Sequence, residues 1–271
     1  MKITILAFAI AAGLTSLTVN VRAALIISDN FTGTDGTDIN GRQPDNVNLP
    51  GSSWSSMAYW GPSIRGNTFS IGADTEATIS LLSNGLYSKP SIFTISAKFK
   101  MFRDTQGIGV GFGASPSLMD PSLRSQANYN NNFYGLVVNG SGAVSLVANS
   151  QSSQSVLGTV QWTGSSVFDP YSDYTLQYTV DSSLGTISAI SLFSAVDSAQ
   201  SVFTALVQAS NSTVFNSSTT SYAQLVGRGW NGGDTAYFKN LTVSGDAVPE
   251  PSALSLLAIG LGGLALVRRR K

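Results

Sequence analysis

The chain has 271 residues, 42% hydrophobic and only 11% charged, with 27 glycines and neither histidine nor cysteine. Those two absences exclude Ser-His-Asp and Cys-His nucleophilic sites, the usual zinc sites and disulfide bracing. Basic and acidic residues balance at 15 each, and stability falls to an apolar core that a domain of about 220 residues is large enough to build.

Residues 1–23 are a different material from the rest. Lys2 gives a positive start, residues 3–17 are an apolar run, and Val21-Arg22-Ala23 places small residues on either side of Arg22. This is the pattern of a secretory signal cleaved between Ala23 and Ala24. An uncleaved anchor is the alternative, for which the apolar run is short.

Alternation of apolar and polar residues dominates residues 24–246. Strands are expected at 25–27, 68–71 and 77–82. In 92–102, Phe93, Ile95, Ala97, Phe99 and Met101 share one face while Thr94, Ser96, Lys98 and Lys100 share the other, a strand with one wet side. Strands at 108–112, 133–138 and 144–147 follow, the last two joined by a tight Asn139-Gly140-Ser141-Gly142 connection. The alternation returns at 174–180, with a turn at 181–185 and a hairpin partner at 186–193. Further strands are expected at 203–207, 222–226 and 237–243. No segment between the two termini sustains a 3.6-residue period. Many short strands with frequent turn signals predict an all-β fold, a two-sheet antiparallel jelly-roll sandwich over residues 24–245.

Paired carboxylates are the catalytic apparatus that this composition leaves available. Only two glutamates exist, Glu76 and Glu250, so catalysis would rest on aspartates apposed by the fold, and the domain reads as non-catalytic. Asp74 and Glu76 share a strand face by spacing and read as solvated charges. Asp35-Gly36-Thr37-Asp38-Ile39-Asn40, with Asp29 nearby, concentrates oxygen atoms in a glycine-containing loop. Calcium takes about six to eight oxygens, which makes Asp29, Asp35 and Asp38 candidate ligands. The same residue types also build plain turns. Trp54, Tyr59 and Trp60 lie in a polar, glycine-bearing segment and Trp230 in Arg228-Gly229-Trp230-Asn231-Gly232-Gly233. These four rings are candidates for a sugar platform; filling the ends of a sandwich is the competing role for such large rings. The polar loop 115–132 is a second candidate surface.

The C-terminus is more specific. Val248-Pro249-Glu250-Pro251 precedes residues 252–267, sixteen residues without a charge, and Arg268-Arg269-Arg270-Lys271 ends the chain. As a helix that stretch is about 24 Å long, a little short of a ~30 Å hydrocarbon core. The basic cluster keeps the C-terminus on the cytoplasmic side. A Pro-Glu-Pro tripeptide, a short apolar segment bearing Gly260, Gly262 and Gly263, and a terminal arginine cluster resemble the PEP-CTERM sorting signal. The resemblance implies recognition of Pro249, Glu250 and Pro251 by an exosortase, a membrane-embedded cysteine transpeptidase. It also implies export to the envelope, outer surface or extracellular matrix of a Gram-negative bacterium that makes exopolysaccharide, with membrane attachment before processing. An ordinary tail anchor behind a proline-rich linker is the alternative. Without Lys2, Arg22, the four terminal basic residues and Glu250, 9 basic residues remain against 14 acidic ones, the wrong balance for a nucleic-acid partner.

The sandwich region has a resemblance of its own. Ser28-Asp29-Asn30-Phe31, the Gly41-Arg42 turn, Gly109-Val110-Gly111-Phe112-Gly113, the 173–181 strand and Tyr237-Phe238-Lys239-Asn240-Leu241-Thr242-Val243 occur in an order similar to that in laminin-G/concanavalin-like jelly rolls. The resemblance implies that the first and last strands lie side by side; it implies no ligand, because one fold hosts many functions. The expected organisation is a signal (1–23), a sandwich (24–245), and a linker with sorting tail (246–271). The expected function is that of an exported, non-catalytic envelope or exopolysaccharide-matrix protein that binds glycan, with no cofactor beyond calcium. A structural surface or adhesion protein is the alternative, and an aspartate-based polysaccharide-active enzyme a more distant one.

Overall fold

The computed structural model describes residues 24–49, 51–57, 63–71, 75–81, 90–101, 107–115, 132–150, 153–163, 167–194, 204–211, 213–227 and 236–245. The expected signal, the 252–267 segment and the Pro249–Pro251 motif lie outside them, as do Tyr59, Trp60, Asp74, Trp230 and most of the 115–132 loop. No helix among the described residues is long and apolar enough to cross a membrane. Residues Ala24–Gly245 form one compact unit.

In chain order the elements are β1 (Ala24–Asp29), β2 (Asn46–Val47), β3 (Trp54–Met57), β4 (Ser63–Ile64), β5 (Phe69–Ile71), β6 (Thr75–Ser80), β7 (Ile92–Met101), β8 (Gly107–Gly113), β9 (Tyr134–Asn139), β10 (Ala143–Ser150), β11 (Ser153–Gln161), β12 (Asp173–Asp181), β13 (Thr186–Ser194), α1 (Thr204–Ala209), β14 (Tyr222–Gly227) and β15 (Ala236–Gly245). They form the expected two-sheet antiparallel jelly-roll sandwich. One sheet runs β13-β12-β7-β15-β1-β2, with β5 on β15 and β4 on β5; the other runs β11-β10-β9-β8-β14-β6-β3. The first and last strands pair, Ala24 opposite Gly245 and Asp29 opposite Leu241.

The alternation read from the sequence sets which side of each strand is buried. β7 alternates half-buried and buried residues along its whole length, and β12 repeats the pattern beside it. Phe93, Ile95, Ala97 and Phe99 thus meet Leu136, Val138, Leu146 and Leu225 in one core. Tyr178 on β12 is fully buried, and its hydroxyl donates to the Val110 carbonyl on β8 at 2.8 Å, tying one sheet to the other. Burial pushes that hydroxyl well above the usual tyrosine range.

Both predicted tight connections form. At 139–142 the Asn139 side-chain oxygen accepts from the Ser141 and Ala143 amides, and Gly142 takes φ +80°. At 181–185 the Asp181 carboxylate accepts from the amides of Ser183 and Leu184, and Gly185 takes φ +73°. These are side-chain mimics of a backbone turn, closed by a residue free to adopt positive φ.

One expectation fails. The segment expected as a strand at 203–207 is the helix α1 over Thr204–Ala209. Its Ala, Leu and Gln residues are good helix formers. Leu206 is buried against Gly158 of β11, and the Ser210 hydroxyl closes the last turn on the Val207 carbonyl at 2.7 Å. β11, like the short β2, β3 and β4, is not among the expected strands. Its sequence SQSVLGTVQ is polar and irregular, and a register shift against β10 between Leu146 and Val147 breaks its alternation.

Candidate functional site

The sequence-predicted residues gather first at the Asp29 end of β1, and there they build structure. Asp29 is fully buried. One carboxylate oxygen accepts the Phe31 amide at 2.7 Å; the other accepts the Trp54 indole N–H at 2.7 Å and pairs with the Arg42 guanidinium. Arg42 continues outward to Asp45 at 2.9 Å and to the Thr32 carbonyl at 3.0 Å. A buried carboxylate needs this many donors to offset its lost hydration. Trp54 is only 1% exposed and packs against Phe31, ring centroids 5.8 Å apart. An interior ring whose N–H is already engaged offers no platform to a sugar, so of the two roles weighed for Trp54 the structure gives it the core.

The calcium candidates are likewise dispersed. Asp35 accepts the Gly66 amide at 2.7 Å, and Asp38 accepts the Asn40 amide at 2.9 Å and the Ser56 hydroxyl at 3.4 Å. Each braces a different piece of backbone. Among the described residues no three metal-ligating His, Cys, Asp or Glu side chains come together. Another carboxylate, Asp173, lies between Lys239 at 2.8 Å and Lys98 at 3.5 Å on the wet face of its sheet. Partial burial acts to raise its pKa, but the two ammonium groups outweigh that and hold it below the usual carboxylate range.

A second buried cluster, not anticipated from the sequence, lies on the side of the seven-stranded sheet away from the main core. On β8, Ile108, Val110 and Phe112 face the core, so Gly107, Gly109, Gly111 and Gly113 line the opposite, outer face of the seven-stranded sheet. That stripe is not open ground. A Cβ on Gly111 would lie 2.8 Å from the Phe133 ring and 2.6 Å from the Tyr134 carbonyl, and one on Gly109 would lie 2.9 Å from the same ring. Phe133 joins Val137, Val147 and Val226 in a small second apolar cluster on this face.

Beside the ring lies Gln224 of β14, opposite Gly111 on one side and Thr78 on the other. Its neighbours Ala223 and Leu225 face the core, so the amide projects to the outer face, where a Cβ on Gly113 would collide with it. Gln224 is fully buried, and neither its amide nitrogen nor its oxygen has a hydrogen-bond partner among the described residues. The legible signal was the strict Gly-x-Gly-x-Gly-x-Gly spacing at 107–113, which strips one face of a strand of side chains.

Comparison with known proteins bears mainly on the tail. Residues 247–271 match the family described as the PEP-CTERM protein-sorting motif. The chain carries a PEP-CTERM sorting signal. No curated protein matches the chain. Among solved structures, the VIP36 exoplasmic/lumenal domain in its metal-free form is similar at 10% identity and a TM-score of 0.48, over 84% of this chain and 95% of that one. The metal-free Emp46p carbohydrate recognition domain is similar at 12% identity and 0.44, over 72% and 89%. A protein of unknown function, SO2946 from Shewanella oneidensis MR-1, gives 12% and 0.46, over 88% and 94%. Likeness at this level assigns no ligand to the PEP-CTERM chain.

Proposed function

We propose that this is an exported, exosortase-sorted protein of the envelope or exopolysaccharide matrix of a Gram-negative bacterium, acting without catalysis by binding glycan. The PEP-CTERM match at residues 247–271 is the observation that carries the reading. In support, the chain has no histidine or cysteine for nucleophilic chemistry. Asp29, Asp38 and Asp181 are taken up by backbone and side-chain donors of the fold. The test is mass-spectrometric mapping of both termini in protein recovered from fractionated native cells. An N-terminus at Ala24 and a C-terminus near Pro249–Pro251 are expected. An intact Lys271 would make the tail a plain anchor and withdraw the sorting role.

A second reading, a structural coat or adhesion protein, draws on the sheet edges. β11 and β13 are nine-residue edge strands without a charge or a proline; α1 packs on both and the Ser210 hydroxyl accepts the Ile187 amide at 3.0 Å, so what is left for edge-to-edge pairing is the part of each strand beyond the helix. Concentration-dependent assembly in analytical ultracentrifugation, without saturable sugar binding, would favour it over the first.

A further inference from the structure

We infer that the wet face of the eight-stranded sheet, where β12, β7 and β15 run side by side, binds the carboxylates of an acidic polysaccharide, an assignment that rests on the glycan-binding reading above and gives it a ligand class. Three lysines gather at one end of that face. Lys100 stands opposite Asp173 and Tyr237, and Lys98 opposite Thr175 and Asn240. Lys239 joins them through a β-bulge, because the register of β15 on β7 slips between Phe238 and Asn240. Phe238 and Leu241 both face the core, so the two residues between them share the wet side. From there the Lys239 ammonium reaches across β7 to Asp173 on β12 at 2.8 Å, and Lys98 meets the same carboxylate oxygen at 3.5 Å. Lys100 has no ion pair among the described residues. Asp169, a little earlier in the chain, turns its carboxylate to the Tyr171 amide and the Ser172 hydroxyl. Three ammonium groups therefore surround one carboxylate, on a face left open to solvent: the Lys98 and Lys239 side chains are 44% and 37% exposed.

The rest of the domain selects among anions. Between the two ends of the chain 9 basic residues stand against 14 acidic ones, so a densely charged polymer is repelled over most of the surface. A polyuronate carries one carboxylate per sugar ring with uncharged hydroxyls between. It needs a few cations to accept its charge and neutral donors and acceptors for the rest. The strands supply the second kind beyond the lysines. Ser96 has Gln177 and Thr242 as cross-strand neighbours, and one step further Thr94 and Thr179 share a hydrogen bond at 2.9 Å.

The experiment uses the full chain expressed in its own bacterium and purified as the exported protein. It is titrated separately with polygalacturonate, with dextran as an uncharged polymer, and with that cell's exopolysaccharide. Polygalacturonate should bind more tightly than dextran, and added salt should weaken it. Lys98→Gln combined with Lys100→Gln should weaken polygalacturonate by about fivefold for each lysine, the size of one contact between unit charges at ~4 Å in water. Asp173→Asn should tighten it. Asp181→Asn makes the same change in net charge at the far end of β12, ~26 Å along the strand, and keeps the side-chain oxygen that accepts from Ser183 and Leu184. That distance exceeds the ~8 Å screening length, so Asp181→Asn should leave the affinity unchanged. The two asparagine variants separate a located site from net charge, and neither disturbs the core. Unchanged affinity in the lysine variant, or equal responses to Asp173→Asn and Asp181→Asn, overturns the site and leaves glycan binding to another surface. Duplex DNA bound as tightly as polygalacturonate makes this a general polyanion surface and overturns the choice of ligand. Binding of dextran or the exopolysaccharide without binding of polygalacturonate overturns the proposal and keeps the glycan reading. Failure to bind any of the three polysaccharides removes the glycan reading itself, and this site with it.

Discussion

Asp29 and Gln224 are both fully buried, on different sheets of the same sandwich, and their polar atoms have opposite fates. Asp29 receives a backbone amide, an indole N–H and a guanidinium, and it thereby fastens the end of β1 to the Arg42 turn and to β3. Gln224 receives nothing within the described fold. A satisfied buried network specifies one arrangement of the chain, whereas an unsatisfied group costs stability unless another molecule completes it. The contrast separates a buried polar residue that the fold satisfies from one that it does not.

The largest test of that contrast is Asp29→Ala. It leaves the Arg42 guanidinium and the Trp54 indole facing a void, and it should cost about 3–5 kcal/mol in urea unfolding followed by tryptophan fluorescence. A loss below ~1 kcal/mol would mean that the knot does not hold β1 in place. Gly111→Val should cost about 1–3 kcal/mol by the same measurement, because the new side chain must displace the Phe133 ring or the Tyr134 backbone. Gln224→Met should move stability the other way, a gain of about 1 kcal/mol, since it deletes an unpaired buried amide. A loss of the same size would put Gln224 in the same class as Asp29.

The smallest effect belongs to the half-buried carboxylates at the two ends of β12. Asp173 is held below its usual range by Lys239 and Lys98 against the opposing pull of partial burial, and Asp181 is lowered chiefly by the Ser183 hydroxyl. Depressed folded-state pKa values mean that their stabilisation is present above the unfolded value near ~3.9 and is lost as pH falls through the lower folded values. Lys239→Ala should therefore move the Asp173 carboxyl titration, read by NMR, upward toward the ordinary range. Its effect on stability at neutral pH should stay within about 1 kcal/mol, as for other solvent-screened pairs.

Much of this fold is written locally, and the site is not. Period-two alternation in 92–101 and 173–181 is enforced by a core on one side and water on the other, so each strand announces itself. The 139–142 and 181–185 turns are legible for the same reason, because Asn, Asp and Gly act within their own few residues. β11 escaped because its bulge and polar surface erase the period, and α1 because six residues do not complete two helical turns. Trp54 was ambiguous because a tryptophan in a polar segment suits a platform or a core equally well; only the distant Asp29 carboxylate decides it. Gln224 offered no local signal. Its importance comes from Gly111, Gly113 and Phe133, more than ninety residues earlier in the chain, which the fold brings beside it.

The adjacency of the first and last strands also has a mechanical meaning for a protein handled by its C-terminal tail. Gly245 ends β15, which is hydrogen-bonded to β7 along Ala236–Gly245 and to β1 over its last five residues. A pull on the tail against a ligand held by the sandwich therefore loads β15 in shear, so that bonds on both of its edges must rupture together rather than one pair at a time. A pull between residues 24 and 245 would instead peel β1 from β15, starting at their first pair. Tethered through the tail alone, the domain meets force along its stronger direction.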